Sequence, residues 1–226
     1  MLRIAPLAAS SLVVLLSLGW TADAHSQAFA TVKGKEPIPR GAFKTWSLFL
    51  VTNQDWLIPE NAGRLRQLYE RSQAFGRVIG NDHLAVWFWK KDAPVDAATM
   101  AANVDVERAI AYCQKLGLKP SGGPYFVFTT SYPDEAAAPE SFSVIELNTA
   151  ADQIGRLLGM MGDQLVQEGL IRDRTFQQPP GSDDFWSAWF DATRHALANL
   201  GANFHFAIRT PTISIESGRK SGGQVH

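Results

Sequence analysis

The side chains able to do chemistry are few. The chain has 226 residues and one cysteine, Cys113. A single thiol closes no intramolecular disulfide and makes no CxxC redox or metal motif. Cys113 falls on the helical stripe Val106, Ala109, Ile110, Cys113 and Leu116. A small buried hydrophobe is the plain reading there, and a reactive thiol the sharper one. The five histidines are His25, His83, His195, His205 and His226. None has the i, i+4 or HExxH spacing of a helical metal site. Asp82 beside His83 has the makings of an oriented base, but no GxSxG turn offers a nucleophile. A structural or exposed His83 is the plainer expectation. Acidic pairs occur at Asp134-Glu135, in a turn, and Asp183-Asp184, at a helix start. Both places favour carboxylates on local grounds, and nothing supports a glycosidase pair. Gly122-Gly123 lacks the Lys-Ser/Thr and helix start of a phosphate loop. No metal or cofactor is expected. Trp87 with Trp89, and Phe185, Trp186, Trp189 with Phe190, form two aromatic stripes. Core packing is the default for them, and a peptide or glycan groove the alternative.

Composition narrows the class. Hydrophobic residues make up 46%, with seven Trp and thirteen Phe, so a packed core is expected and wholesale disorder excluded. A formal net charge of -1 argues against a general nucleic-acid binder. Met1 and Arg3 precede an apolar run from Ile4 to Leu18, and Ala22-Asp23-Ala24 supplies a small-x-small cleavage site. Residues 1–24 thus read as a secretory signal peptide, whose apolar run is too short to be preferred as a membrane anchor. The mature chain then starts at His25 and is periplasmic or secreted, with no span left to cross a bilayer.

The rest is organised around Ser121-Gly122-Gly123-Pro124, which stops the chain just before the apolar run Tyr125-Phe126-Val127-Phe128. Residues 25–43 read as an extended lead-in. Residues 44–52 and 83–89 are apolar on both faces, as in central strands. Between them Leu65, Leu68, Tyr69 and Phe75 recur at helical spacing, with Arg64, Arg66, Arg71 and Arg77 on other faces. That helix has a cationic exterior, most simply a solvated one and otherwise suited to acidic partners. The second helix is the one carrying Cys113, stopped by Gly117. Helical connections favour a parallel strand pair. Residues 125–130 and 142–147 read as an antiparallel hairpin. Asn148 and Thr149 are placed to cap a helix whose stripe runs from Ile154 to Val166. Ser182 caps another, which Gly201 ends. Asn203 to Ile215 alternates as an edge strand interrupted by Pro211. Residues 217–226 read as a disordered tail.

The order β-α-β-α, glycine-proline, β-β-α over residues 44–170 resembles the thioredoxin-like superfamily. The closest likeness is Asn103 to Leu118 followed by Pro124 to Phe128. The resemblance implies a three-layer α/β sandwich, here with an added C-terminal helix and strand at 171–216. It also implies a cis Gly123–Pro124 bond. Where such oxidoreductases carry reactive cysteines, this chain has Asn53, Gln54, Asp55 and Trp56. A helix start there stabilises a thiolate, but there is no sulfur, so the resemblance implies a redox-inactive member. The expected function is a non-catalytic domain that binds a protein or peptide in the cell envelope. Its rim would consist of Asp55, Trp56, Gly123, Pro124 and Tyr125, with Trp56 giving apolar contact. The alternatives are an exported enzyme of unrecognised, non-thiol chemistry built on Asp82 and His83, and an assembly component recruiting a strand at 203–215.

Overall fold

The computed structural model describes residues 28–91, 99–133, 137–147, 151–200, 204–211 and 214–217. The expected signal peptide, His25, Asp134-Glu135, the Asn148/Thr149 cap, Gly201 and residues 218–226 with His226 lie outside the described residues.

The fold is mixed α/β. Strands β1 (Phe29–Lys33), β2 (Thr45–Leu50) and β3 (His83–Trp89) run parallel, with β3 between the other two. Every residue of β2 and β3 is buried, as strands apolar on both faces require. Helix α1 (Ala62–Ile79) joins β2 to β3 and buries Leu65, Leu68, Phe75 and Ile79. After β3 come the single turn α2 (Met100–Asn103) and helix α3 (Val106–Lys115). Asp105 caps α3 by accepting the Arg108 N–H at 3.0 Å. Gly117, at φ 69°, ends it.

Strand β4 (Tyr125–Thr129) turns back antiparallel to β2, and β5 (Phe142–Glu146) pairs antiparallel with β4. Helix α4 (Ala151–Gln167) follows, then a small hairpin of β6 (Ile171–Arg172) and β7 (Thr175–Phe176). Ser182 Oγ accepts the Phe185 N–H at 3.2 Å at the start of helix α5 (Asp183–Leu200). A last hairpin, β8 (Phe206–Arg209) and β9 (Ser214–Ser217), extends the sheet beside β5. The strand order is β1-β3-β2-β4-β5-β8-β9.

Two expectations need correction. The lead-in at 25–43 contains β1, an edge strand paired along its length with β3. The C-terminal extension carries two hairpins, not one strand, and Pro211 stands between the strands of the second. The aromatic stripes pack in the core, as expected by default, and do not form the alternative groove: Trp87, Trp89, Phe185, Trp186 and Trp189 are buried.

Helices cover both faces of the sheet. One core joins α1, α4 and α5 to Phe49, Trp87, Trp89, Phe126 and Phe128. The other joins α3, with Cys113, to Leu48, Val86, Phe88 and Val127. On the first face, Ala85, Ser47, Phe128, Ser143 and Ile208 form one row across five strands. Small residues on both sides of Phe128 let Trp189 of α5 stack on its ring at 3.7 Å between centroids. Trp189 Nε1 then donates to Ser143 Oγ at 2.9 Å, so a buried indole N–H is satisfied. No helix among the described residues is long and apolar enough to cross a membrane.

Candidate functional site

The structure brings the ends of β2 and β4 together. Leu50 lies opposite Tyr125 in the antiparallel register, so the chain entering β4 passes beside the chain leaving β2. Gly123 stands there because nothing larger fits. A Cβ on Gly123 would sit 2.3 Å from Thr52 Oγ1 and 3.3 Å from the Leu50 carbonyl. The Gly123–Pro124 bond is cis. The Pro124 carbonyl accepts the Leu147 N–H at 2.7 Å, which ties the turn to the end of β5. Gly122 is required for another reason. A Cβ there would lie 2.3 Å from Tyr125 Oη, whose hydroxyl passes over to donate to the Lys119 carbonyl at 2.7 Å. Burial, helped by the nearby Glu146 and Cys113, raises the Tyr125 phenol above its usual range. Tyr125 is therefore a neutral tether that shapes the turn.

On the β2 side, Asn53 Oδ1 accepts the Asp55 N–H at 2.9 Å and opens a 3-10 turn at Gln54–Trp56. The Asn61 amide holds the Asp55 carbonyl. Asp55 is left exposed. Trp56 is not. Its ring is 1% exposed, with the Arg64 guanidinium 4.4 Å above it, so it anchors the loop to α1 and offers no outward contact. The outward apolar residue is Ile58, 44% exposed. Its signal was the following proline, which keeps Ile58 out of the helix and in extended backbone.

Nothing in its residue type or spacing marks Thr52. It is 4% exposed, yet its Oγ1 has no hydrogen-bond partner. Gly123, against which it sits, makes no backbone hydrogen bond among the described residues. The rim thus holds an orphan hydroxyl and an unpaired peptide group, bordered by exposed Asp55 and Ile58. The hydroxyl and the peptide group are buried, and Asp55 and Ile58 are what this rim turns to solvent. The rim contains no thiol.

The other chemistry-bearing residues lie elsewhere. Cys113 is fully buried in the α3 core, and burial pushes its thiol up to about 12, which suppresses the thiolate. The Asp82–His83 pair is split. Asp82 binds Lys44 Nζ at 2.7 Å, while His83 is enclosed, with Thr45 Oγ1 at 2.9 Å from Nδ1 and Ser47 Oγ at 3.0 Å from Nε2. Thr45 Oγ1 also donates to the Asp82 carbonyl at 3.4 Å. The consistent assignment has Nδ1–H donating to Thr45 and Ser47 donating to Nε2. Burial lowers His83 to about 3. This histidine is neutral, satisfied and walled off from solvent, so the proposed oriented base is not formed. His195 Nδ1 lies 3.1 Å from Glu168 Oε1 on the surface. Among the described residues no group of three or more His, Cys, Asp or Glu side chains is placed to hold a metal. Comparison of the chain with protein-family models, curated proteins and solved structures finds no match.

Proposed function

We propose that this chain is an exported, redox-inactive, thioredoxin-like domain that binds an extended segment of a protein partner at the Thr52–Ile58 and Gly123–Tyr125 rim. The thioredoxin-like part draws support from the order β1-β3-β2-β4-β5, in which three parallel strands are followed by β4 antiparallel to β2 and β5 antiparallel to β4. It also draws support from the proline that opens β4 beside the end of β2. Export rests on the Met1–Ala24 pattern. Binding at this rim rests on one observation: exposed Asp55 and Ile58 border a buried turn in which Thr52 Oγ1 and the Gly123 peptide have no hydrogen-bond partner. An incoming segment would dock on exposed Asp55 and Ile58, and would reach the buried Thr52 hydroxyl and Gly123 peptide as the turn shifts to admit it.

Photo-crosslinking in the native envelope tests this. A crosslinking residue at Asp55 is expected to capture one macromolecular partner, and the same residue at exposed Glu107 on α3 is not. Ile58→Asp is expected to abolish the capture. Equal capture from both positions, or capture indifferent to Ile58→Asp, would remove the rim as the binding surface.

A further inference from the structure

Helices α1 and α4 pack side by side, and a cleft of about 780 Å³ opens to solvent between them. Its walls carry Glu70, Arg71 and Ala74 from α1, and Asp152, Gly155 and Arg156 from α4. Gly155 brings the charges together. A Cβ there would stand 2.8 Å from Arg71 Nε, so glycine at 155 lets the Arg71 side chain lie close against α4. Glu70 is already occupied by Arg66, Nε to Oε1 at 2.8 Å. Arg71, Asp152 and Arg156 form no hydrogen bond or ion pair among the described residues.

The cleft therefore holds two uncommitted cations and one uncommitted anion. A simple anion gains from the arginines and is repelled by Asp152 and Glu70. A simple cation meets the reverse. A molecule with one charge of each sign satisfies both, because guanidinium groups take a carboxylate through paired N–H donors and a carboxylate takes an ammonium. The volume lies within the range of small-ligand sites, roughly 300–1,000 Å³. We propose that the α1–α4 cleft binds a zwitterion of amino-acid or short-peptide type, its carboxylate on Arg71 and Arg156 and its ammonium on Asp152. This site is separate from the rim and does not depend on partner binding there.

The test is titration of the purified chain with glycine, diglycine and triglycine, which carry the two charges at increasing separation. At least one is expected to bind with a Kd of about 1 mM or tighter. Its N-acetylated and C-amidated forms, and acetate alone, are expected to bind at least about tenfold weaker, a loss of about 1.4 kcal/mol. Arg71→Gln and Asp152→Asn are expected to weaken binding similarly without changing the thermal midpoint, since both side chains are exposed. No binding of any of the three up to about 10 mM would overturn the proposal. So would equal binding of acetate or the capped forms, or indifference to both substitutions.

Discussion

Buried hydroxyls stand at both ends of the segment that contains β2, and the two ends treat them in opposite ways. At one end Thr45 and Ser47 hold the two nitrogens of His83. The imidazole in turn stacks on Phe128, 5.5 Å between centroids, and meets the edge of Phe75. Every polar atom in that cluster has a partner, and aromatic rings seal it. At the other end Thr52 is nearly as well buried, but its hydroxyl faces Gly123 and bonds to nothing. An unmade hydrogen bond on a buried group costs about 1–3 kcal/mol, whereas a made one returns about 1. The closed end therefore reads as a fold-specifying polar cluster, and the open end as a place where a desolvation cost is left uncompensated.

The comparison breaks most visibly through Phe128, the ring on which the closed end rests. Phe128→Ala removes the surface under both His83 and Trp189. It is expected to cost about 3–5 kcal/mol in denaturant melts. A loss under about 1 kcal/mol would mean that the closed end does not organise the core.

Acid comes next. Folded His83 stays neutral down to about 3, while in the unfolded chain it takes a proton below its ordinary value of about 6.5. Between these limits the unfolded state binds one proton more. Stability is thus complete above about pH 6.5 and falls as pH drops toward 3, at about 1.4 kcal/mol per unit, or about 2 kcal/mol by pH 5. Melts at pH 7 and pH 5 are expected to show this fall in the native chain and to lose that part of it in His83→Gln. An identical pH response in the two would contradict a neutral, enclosed imidazole. A smaller effect is expected from Ser47→Ala, which strands Nε2 and costs about 1–2 kcal/mol at neutral pH.

Much of this frame was legible in local sequence. Strand β3 occupies the residues that its two-faced apolar pattern marks, His83–Trp89, and α5 starts where Ser182 caps it. What was not legible depends on partners distant in the chain. Strand β1 is a half-buried edge, and only pairing with β3 distinguishes it from an extended leader. The β6–β7 turn places Asp173 and Arg174 at φ 49° and 59°, without the glycine or asparagine that normally announces such a turn. Trp56 looked like a loop residue free to face outward, and Arg64, one helical segment later, covers it instead. At the rim, Gly123 and Pro124 stood out by type. Thr52 did not, because an orphan hydroxyl is a property of what surrounds a residue.

The finest test separates the two ends by one atom at Thr52. Thr52→Val replaces the hydroxyl with a methyl group of nearly the same shape, so the packing against Gly123 is kept and only the hydrogen-bonding capacity is lost. At a satisfied site such a change destabilises. At an orphan site it removes an uncompensated desolvation penalty, and stability is expected to stay level or rise by up to about 1 kcal/mol. A loss above about 1 kcal/mol would show that Thr52 is bonded within the folded chain and that the two ends do not differ. If stability is kept, crosslinking from Asp55 carries the decision further. Reduced capture of the partner places the Thr52 hydroxyl in the docking surface. Undiminished capture assigns that surface to the Gly123 peptide and Ile58 alone, and the orphan hydroxyl then marks only the close approach of β2 to a glycine.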